Sequence, residues 1–183
     1  MISGTTRMLG VIGDPVAHTS SPAMHNAALS ELGLDYVYAA FHVEPAALPQ
    51  ALTGMRALAF AGLNITVPHK RAVMEYLDEI SAAAAAIGAV NTICNRDGRL
   101  LGYNTDAFGF IQSLKADGGM DLLPPVVALL GAGGAARAIL YALLAREEVE
   151  QVLLLNRTVE KAAALKGDLD DRAKVRVGSL AET

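Results

Sequence analysis

The stretch that decides the fold runs from residue 126 to residue 144 and reads VVALLGAGGAARAILYALL. It begins with a short apolar run, residues 126–130, bounded by turn residues, which is typical of a buried strand. A glycine turn follows, and after it come alanine and leucine, which favour a helix. A strand, a glycine turn and a helix in this order form the context in which a dinucleotide pyrophosphate is bound.

The glycines of this turn have the spacing G-x-G-x-x-A. Gly131 permits the tight turn, Gly133 lets a pyrophosphate approach the backbone, and Ala136 allows the helix to pack closely. Backbone N–H groups at the start of the helix favour an anion. The predicted cofactor contacts come from Gly131, Ala132, Gly133, Gly134 and Ala135. The alternative is a close-packed turn that holds no ligand.

The end of the next predicted strand indicates which dinucleotide is bound. An NAD site usually places Asp or Glu there, on the ribose 2′-hydroxyl. This chain has Asn156, Arg157 and Thr158, with Lys161 shortly after them. Arg157 and Lys161 suit a 2′-phosphate and Thr158 adds a hydroxyl, so we predict NADP as the cofactor. The alternative is that both cations are ordinary solvated residues and that Thr158 only caps a helix.

The composition excludes several classes of protein. The 183 residues are 52% hydrophobic and 19% charged, with a formal net charge of −4. A mildly acidic chain gives no support for a nucleic-acid surface. No apolar run reaches the ~20 residues that a membrane span needs, and the first residues do not resemble a signal peptide. The single cysteine, Cys94, cannot form an internal disulfide, and the histidines lack metal-ligand spacing. We therefore predict a cytoplasmic α/β protein without a metal, and we assign Cys94 to packing.

Strand-like and helix-like segments alternate along the chain, which predicts an α/β fold. The turn-rich segment 117–125 indicates a boundary between domain 1–116, mostly parallel α/β, and domain 126–183, a partial Rossmann-type unit. The predicted strands are 8–13, 36–43, 62–67, 91–95, 99–103, 126–130, 151–155 and 174–177. The predicted helices are 21–32, 45–58, 69–77, 81–87, 135–146 and 159–169, and another helix carries Phe108, Ile111 and Leu114.

The segment LNITVPHK, residues 63–70, raises a functional question. Period 2 sends Asn64 and Thr66 to one face of the strand, Pro68 ends it, and Lys70 follows directly. Strand ends in α/β sheets are where ligand groups gather. The alternative is a strand with one half-polar face and a solvated lysine.

Six strings along the chain together resemble one family, shikimate dehydrogenase. They are GDPVAHTSSPAMHN (13–26), NITVPHK (64–70), GAVNT (88–92), GYNTDAFGF (102–110), GAGGAAR (131–137) and NRTVEKA (156–162). They occur in the family's order and at its spacings, and the resemblance covers essentially all of the chain. It implies NADPH-dependent, reversible reduction of 3-dehydroshikimate to shikimate, a step of chorismate and aromatic amino acid biosynthesis.

The resemblance also implies which residues form the site. Thr19 and Ser21 match two positions that bind the substrate carboxylate; the family usually has serine at both, and Thr19 adds a methyl group. Asn64, Thr66 and Asn91 match residues that bind the substrate hydroxyls. Lys70 and Asp106 match the catalytic positions, which also contact the substrate, and they are expected to form an ion pair. From the residues alone, Ser21 and Asp106 could instead be helix caps. The four histidines have no catalytic role that the sequence supports.

The predicted Rossmann unit supplies three strands where a complete one has six. We therefore expect a truncated chain in which strand 126–130 becomes an unpaired apolar edge that favours association. Such a chain would bind shikimate but turn over poorly. Two alternatives are a non-catalytic shikimate-binding fragment and a quinate/shikimate dehydrogenase that uses NAD, although Arg157 disfavours NAD. A small-molecule substrate is the expected partner, and the protein is expected to be a monomer or a homodimer.

Overall fold

The computed structural model describes residues 2–170 and 173–180. Residues 171–172 and 181–183, which belong to the predicted nucleotide domain and include the expected truncation point, lie outside the described residues. The chain divides into two compact units. Unit 1 comprises Met1–Ala84 and Val90–Tyr103, and unit 2 comprises Ala85–Ala89 and Asn104–Thr183.

Within the described residues, unit 1 contains a six-stranded sheet. Its strands are β1 (Arg7–Gly13), β2 (Tyr36–His42), β3 (Gly62–Ile65), β4 (Glu79–Ile80), β5 (Thr92–Arg96) and β6 (Arg99–Tyr103). The helices are α1 (Ser21–Glu31) and α2 (Leu48–Ala57), with short 3₁₀ turns at Pro45–Ala47 and Ala72–Tyr76. A third helix, α3 (Ala82–Ile87), begins in unit 1 and ends in unit 2.

The strand order of unit 1 is β2-β1-β3-β5-β6-β4. β1 runs parallel to both β2 and β3, whereas β5 pairs antiparallel with β3 and with β6. The β5–β6 hairpin turns through Asp97 and Gly98, both with positive φ, which suits a two-residue type I′ turn. The mostly parallel sheet and the hairpin are confirmed. Because β1 and β3 are parallel, the loops that follow them start at the same edge of the sheet.

The alternating side chains of β1 enter two separate cores of unit 1. Ile12 packs into a cluster with Leu48, Leu52 and Ile65, so α2 covers that face of the sheet. Val11, its neighbour, lies in a second cluster on the other face. Full burial of one such side chain stabilises a fold by roughly 1.5–3 kcal/mol. The centre of the sheet is therefore packed on both faces, and the loops that follow β1 and β3 begin at the carboxyl ends of these packed strands.

Unit 2 contains a parallel sheet in the order β7-β8-β9. Its elements are α4 (Asp106–Ala116), β7 (Val126–Leu130), α5 (Gly134–Leu144), β8 (Gln151–Asn156), α6 (Val159–Leu169) and β9 (Val175–Ser179). The core is formed by apolar residues of α5, α6 and the strands, including Leu140, Leu154 and Leu165. Within the described residues β7 pairs with β8 alone, and Val126 and Leu130 are 51% and 66% exposed. The predicted apolar edge is present; association through it stays a prediction.

The division into units differs from the predicted domains 1–116 and 126–183. Helix α4, which we placed in the first domain, belongs to unit 2 because it packs against α5. Residues 85–89 also belong to unit 2. The turn-rich composition of residues 117–125 marks a connection between elements, but it does not say on which side of that connection α4 packs.

The helix predicted at 69–77 is wrong: the segment forms a turn followed by the 3₁₀ stretch Ala72–Tyr76. The Lys70 carbonyl accepts a 2.7 Å hydrogen bond from the Val90 N–H, which is distant in the chain, instead of the bond that a helix would give it. Strand β3 also ends earlier than predicted, at Ile65. Among the residues that the structure describes, no helix has the length and apolar character that crossing a bilayer requires.

Candidate active site and nucleotide-binding turn

The loops that follow β1 and β3 lie side by side at the carboxyl ends of these two parallel strands. We call this end of the unit 1 sheet its polar edge. In the parallel register Val11 is opposite Asn64. Past the end of β3, the Thr66 N–H donates to the Ile12 carbonyl at 3.0 Å. Asp14 N–H in turn donates to the Val67 carbonyl at 2.9 Å. The residues predicted from LNITVPHK therefore face the loop that leads to Thr19 and Ser21.

Lys70 is half-buried in the turn after β3, and its neighbour His69 anchors that turn. His69 is 1% exposed, and its Nε2 donates a 2.6 Å hydrogen bond to the Val43 carbonyl. The backbone N–H of His69 donates to the Thr66 carbonyl at 2.9 Å. His69 was assigned no role from the sequence, because nothing in the pattern showed that its ring is buried. It holds the position from which Lys70 extends.

Thr19 and Ser21 lie together at the start of α1. The Thr19 hydroxyl donates to Ser21 Oγ at 3.0 Å, and the Ser21 N–H donates to Thr19 Oγ1 at 3.2 Å. The residue before the helix is Ser20, and no side chain makes a capping hydrogen bond there, so the prediction of Ser21 as N-cap is wrong by one residue. The two hydroxyls and the helix N-terminus together suit an anion.

A chain of hydrogen bonds runs beneath these residues through Tyr38 and Thr92, both missed from the sequence. The Tyr38 hydroxyl donates to Asn64 Oδ1 at 2.7 Å. Asn64 Nδ2 donates to Thr92 Oγ1 at 3.2 Å, and the Thr92 hydroxyl donates to Asn91 Oδ1 at 2.9 Å. Asn91 is 8% exposed. The structure thus connects Asn64 and Asn91 through Thr92, a link that the sequence did not indicate.

Side chains of helix α1 also contact Tyr38 and hold it in place. Asn26 Nδ2 donates to the Tyr38 carbonyl at 2.8 Å, and the Tyr38 N–H donates to Asn26 Oδ1 at 2.9 Å. The His25 ring stacks on the Tyr38 ring with centroids 4.3 Å apart. Burial raises the pKa of Tyr38 to about 12, and a hydrogen bond with Ser21 offsets part of that rise. The phenol is therefore neutral, and able to donate, at physiological pH.

Asp106 is the first residue of α4 and lies in unit 2. Its N–H donates to Asn104 Oδ1 at 3.0 Å, while Asn104 Nδ2 donates to the Ala89 carbonyl at 3.0 Å. The residue before the helix is Thr105, so Asp106 is not the helix cap that the sequence left open. Since Lys70 belongs to unit 1, the predicted Lys70–Asp106 ion pair stays a prediction.

The glycine turn of unit 2 has the backbone that its spacing predicts. Gly131 has φ +104°, and its N–H donates to the Leu155 carbonyl at 2.7 Å. Gly133 is extended and precedes α5, and a Cβ added to it would meet no atom within 4 Å. Ala136 is buried in the unit 2 core. The turn and its following helix match a pyrophosphate site.

The residues after β8 lie at the same end of the sheet as the glycine turn, because Leu130 is opposite Leu155. Asn156 Nδ2 donates to the Thr158 carbonyl at 2.7 Å and closes the turn into α6. The Thr158 side chain makes no capping hydrogen bond, so the alternative that it only caps the helix is not supported. Arg157 and Lys161 are exposed. Within the described residues, no cluster of His, Cys, Asp and Glu suits a metal ion.

The chain is similar to known proteins along nearly its whole length. The family model described as shikimate dehydrogenase substrate binding domain matches residues 11–93. The shikimate dehydrogenase (NADP(+)) of Halothermothrix orenii is 47% identical over 167 residues, which are 91% of this chain and 57% of that protein. The corresponding protein of Symbiobacterium thermophilum is 48% identical over 174 residues, which are 95% and 58%.

A solved structure gives the same picture. The crystal structure of shikimate 5-dehydrogenase from Thermus thermophilus in complex with NADP(H) and shikimate has a TM-score of 0.81 and 47% identity. That match covers 88% of this chain and 60% of the other. The chain therefore spans less than two thirds of the length of the relatives it matches.

Proposed function

Because this chain belongs to the shikimate dehydrogenase family, we propose that it acts in the reversible, NADPH-dependent reduction of 3-dehydroshikimate to shikimate. This reaction is a step of chorismate and aromatic amino acid biosynthesis, which we place in the cytoplasm. Unit 1 binds the substrate, and unit 2 contributes the glycine turn for the nucleotide.

The observation that carries the proposal is the hydrogen-bonded chain at the edge of the unit 1 sheet. It joins Asn64 to Asn91 through Thr92, and the hydrogen-bonded hydroxyls of Thr19 and Ser21 lie at the end of the loop that follows the neighbouring strand β1. A substrate with one carboxylate and several hydroxyls is specified by such convergent polar groups. Thr66 lies in the adjacent turn and adds a further hydroxyl at the same edge.

Lys70 is the residue we assign to the reacting carbonyl. Hydride addition to a ketone places negative charge on the oxygen, and an ammonium group beside it stabilises that charge. Asp106 is the proposed second catalytic group. NADPH supplies the hydride when bound, and this chain's residues position the ketone and neutralise the developing charge.

The nucleotide preference follows from the residues after β8. Arg157 and Lys161 bring positive charge to the position where an NAD site usually has a carboxylate. The N–H groups of residues 131–135 would hold the pyrophosphate at the N-terminus of α5. Preference for NADP over NAD is therefore part of the proposal.

The test is steady-state reduction of 3-dehydroshikimate, followed by the loss of NADPH absorbance. Since the relatives are longer, these residues are assayed within a chain of the relatives' full length, beside the 183-residue chain. Lys70→Ala should lower kcat roughly 100–1000-fold with little change in KM, as expected for loss of a group that stabilises transition-state charge.

Arg71→Ala is the matched control, because Arg71 is the adjacent cation in the sequence and is exposed. It should leave kcat near the wild-type value. Near-normal kcat in Lys70→Ala would contradict the catalytic assignment. Saturable shikimate binding without turnover in the longer chain would favour a binding protein, and faster turnover of quinate with NAD would favour the other family activity.

A further inference from the structure

Tyr38 and Thr92 occupy positions in the unit 1 network and were assigned no role from the sequence. Tyr38 lies in β2 and is 4% exposed, while Thr92 is the first residue of β5. Each contributes a hydroxyl to an asparagine that the proposed function assigns to the substrate: Tyr38 to Asn64 and Thr92 to Asn91. Neither needs to touch the ligand to influence how it is recognised.

The asparagine amide has two chemically different ends, and only its surroundings decide which end points where. Tyr38 donates to Asn64 Oδ1 at 2.7 Å, which holds the carbonyl end toward β2. The amino end is then directed at Thr92 Oγ1, 3.2 Å away, and at the Asn91 carbonyl, 3.4 Å away. A flipped Asn64 amide would turn its own oxygen toward the Asn91 backbone carbonyl, which can only accept a hydrogen bond.

Thr92 passes this orientation on to Asn91. Its hydroxyl accepts from Asn64 Nδ2 and therefore uses its own proton toward Asn91 Oδ1, at 2.9 Å. This fixes the carbonyl end of Asn91 toward Thr92 and its amino end away from it. One chain of hydrogen bonds thus sets the orientation of both amides. Its donors run in one direction, from Tyr38 to Asn64, from Asn64 to Thr92 and from Thr92 to Asn91.

We propose that Tyr38 and Thr92 are positioning residues that fix the amide orientations of Asn64 and Asn91, and so set which substrate hydroxyls are accepted. The inference rests on the proposed function, since it concerns the same shikimate site. Removing either hydroxyl leaves a polar group of an asparagine without its partner and lets the amide flip. Shikimate affinity should then fall about tenfold, the equivalent of ~1.4 kcal/mol.

The experiment measures the Kd of shikimate by isothermal titration calorimetry with the 183-residue chain. Tyr38→Phe and Thr92→Val remove the hydroxyls and keep the shape, and each should weaken binding about tenfold. Thr92→Ser restores a hydroxyl and should recover near-normal affinity. Tyr36→Phe is the control: its phenol lies in the same strand but accepts from Arg7 at the surface, so its removal should leave Kd unchanged.

A double-mutant cycle distinguishes positioning from general support of the fold. If Tyr38 acts through Asn64, Tyr38→Phe should have almost no further effect on Kd in an Asn64→Ala background. Additive losses would overturn the inference, as would unchanged Kd values in both Tyr38→Phe and Thr92→Val. Failure of the wild-type chain to bind shikimate would contradict the proposed function itself, and the inference with it.

Discussion

Arg137 Nη1 donates a 3.0 Å hydrogen bond to the Ile87 carbonyl, which ties helix α5 to the end of helix α3 within unit 2. The other terminal nitrogen, Nη2, forms an ion pair with Asp168 of α6. Arg137 is 7% exposed, so its charge is compensated by these partners rather than by bulk water. Helix α5, which follows the glycine turn, is therefore held in unit 2 by the contacts of a buried arginine.

Asp168→Asn should destabilise unit 2 by roughly 1–2 kcal/mol, because it removes the charge that compensates a buried guanidinium while the carboxylate itself is half-exposed. The free energy of unfolding in urea measures the effect. Glu147→Gln, which neutralises an exposed carboxylate of the same unit, is the control and should change the stability by less than about 0.5 kcal/mol. Equal effects in the two variants would contradict the role of the pair.

Gly131 and Gly133 of the glycine turn should respond differently to replacement by alanine. Gly131→Ala forces a side chain into φ +104° and should destabilise the fold by about 1–2 kcal/mol. Gly133→Ala meets no such strain and no atom within 4 Å, so its free energy of unfolding should stay near the wild-type value.

Gly133→Ala should nevertheless weaken NADPH binding by about tenfold or more, since its methyl group would lie where we propose that the pyrophosphate approaches the backbone. Thermal unfolding and NADPH titration of both variants make the comparison. Unimpaired NADPH binding by Gly133→Ala would favour the alternative of a close-packed turn without a ligand.

Arg157→Asp should shift the nucleotide preference from NADPH toward NADH. The substitution replaces a cation suited to the 2′-phosphate with a carboxylate suited to the ribose 2′-hydroxyl. The ratio of the Kd values for the two nucleotides is the measurement. Lys115→Asp makes the same change of charge on the exposed face of α4 and should leave that ratio unaltered; an equal shift in both variants would make Arg157 an ordinary surface charge.

Tyr38 should ionise at a higher pH than an ordinary tyrosine. Its pKa is raised by burial from 10.0 to about 12, so its contribution to stability is complete below pH 10 and is lost as the pH rises through about 12. The phenolate absorbance of wild-type protein minus that of Tyr38→Phe isolates this titration. A midpoint near the ordinary tyrosine value of about 10 would mean that the phenol is exposed to water and does not hold Asn64.

Local features of the fold were predictable because their causes are local. The Asp97–Gly98 hairpin turn and the helix at 159–169 depend on residues that are neighbours in the sequence, and both are confirmed. The segment 69–77 was mispredicted because its carbonyl at Lys70 bonds to Val90, which is distant in the chain.

In the candidate site, too, local features were predictable and contacts between residues distant in the chain were not. Strings such as NITVPHK predicted Asn64 and Lys70 by resemblance, and the structure locates both at one edge of the unit 1 sheet. Tyr38 and Thr92 lie 26 and 28 positions away from Asn64, the residue they both contact. Only the strand order of the sheet brings them together, and no local pattern encodes that order.

The measurement that tests the central claim most directly is a crystal structure of the 183-residue chain with shikimate. The shikimate carboxylate should lie within hydrogen-bond distance of Thr19 and Ser21, and the ring hydroxyls should contact Asn64, Thr66, Lys70 or Asn91. Shikimate bound at another surface, or absent from crystals grown at a saturating concentration, would contradict the assignment of unit 1 as the shikimate-binding unit.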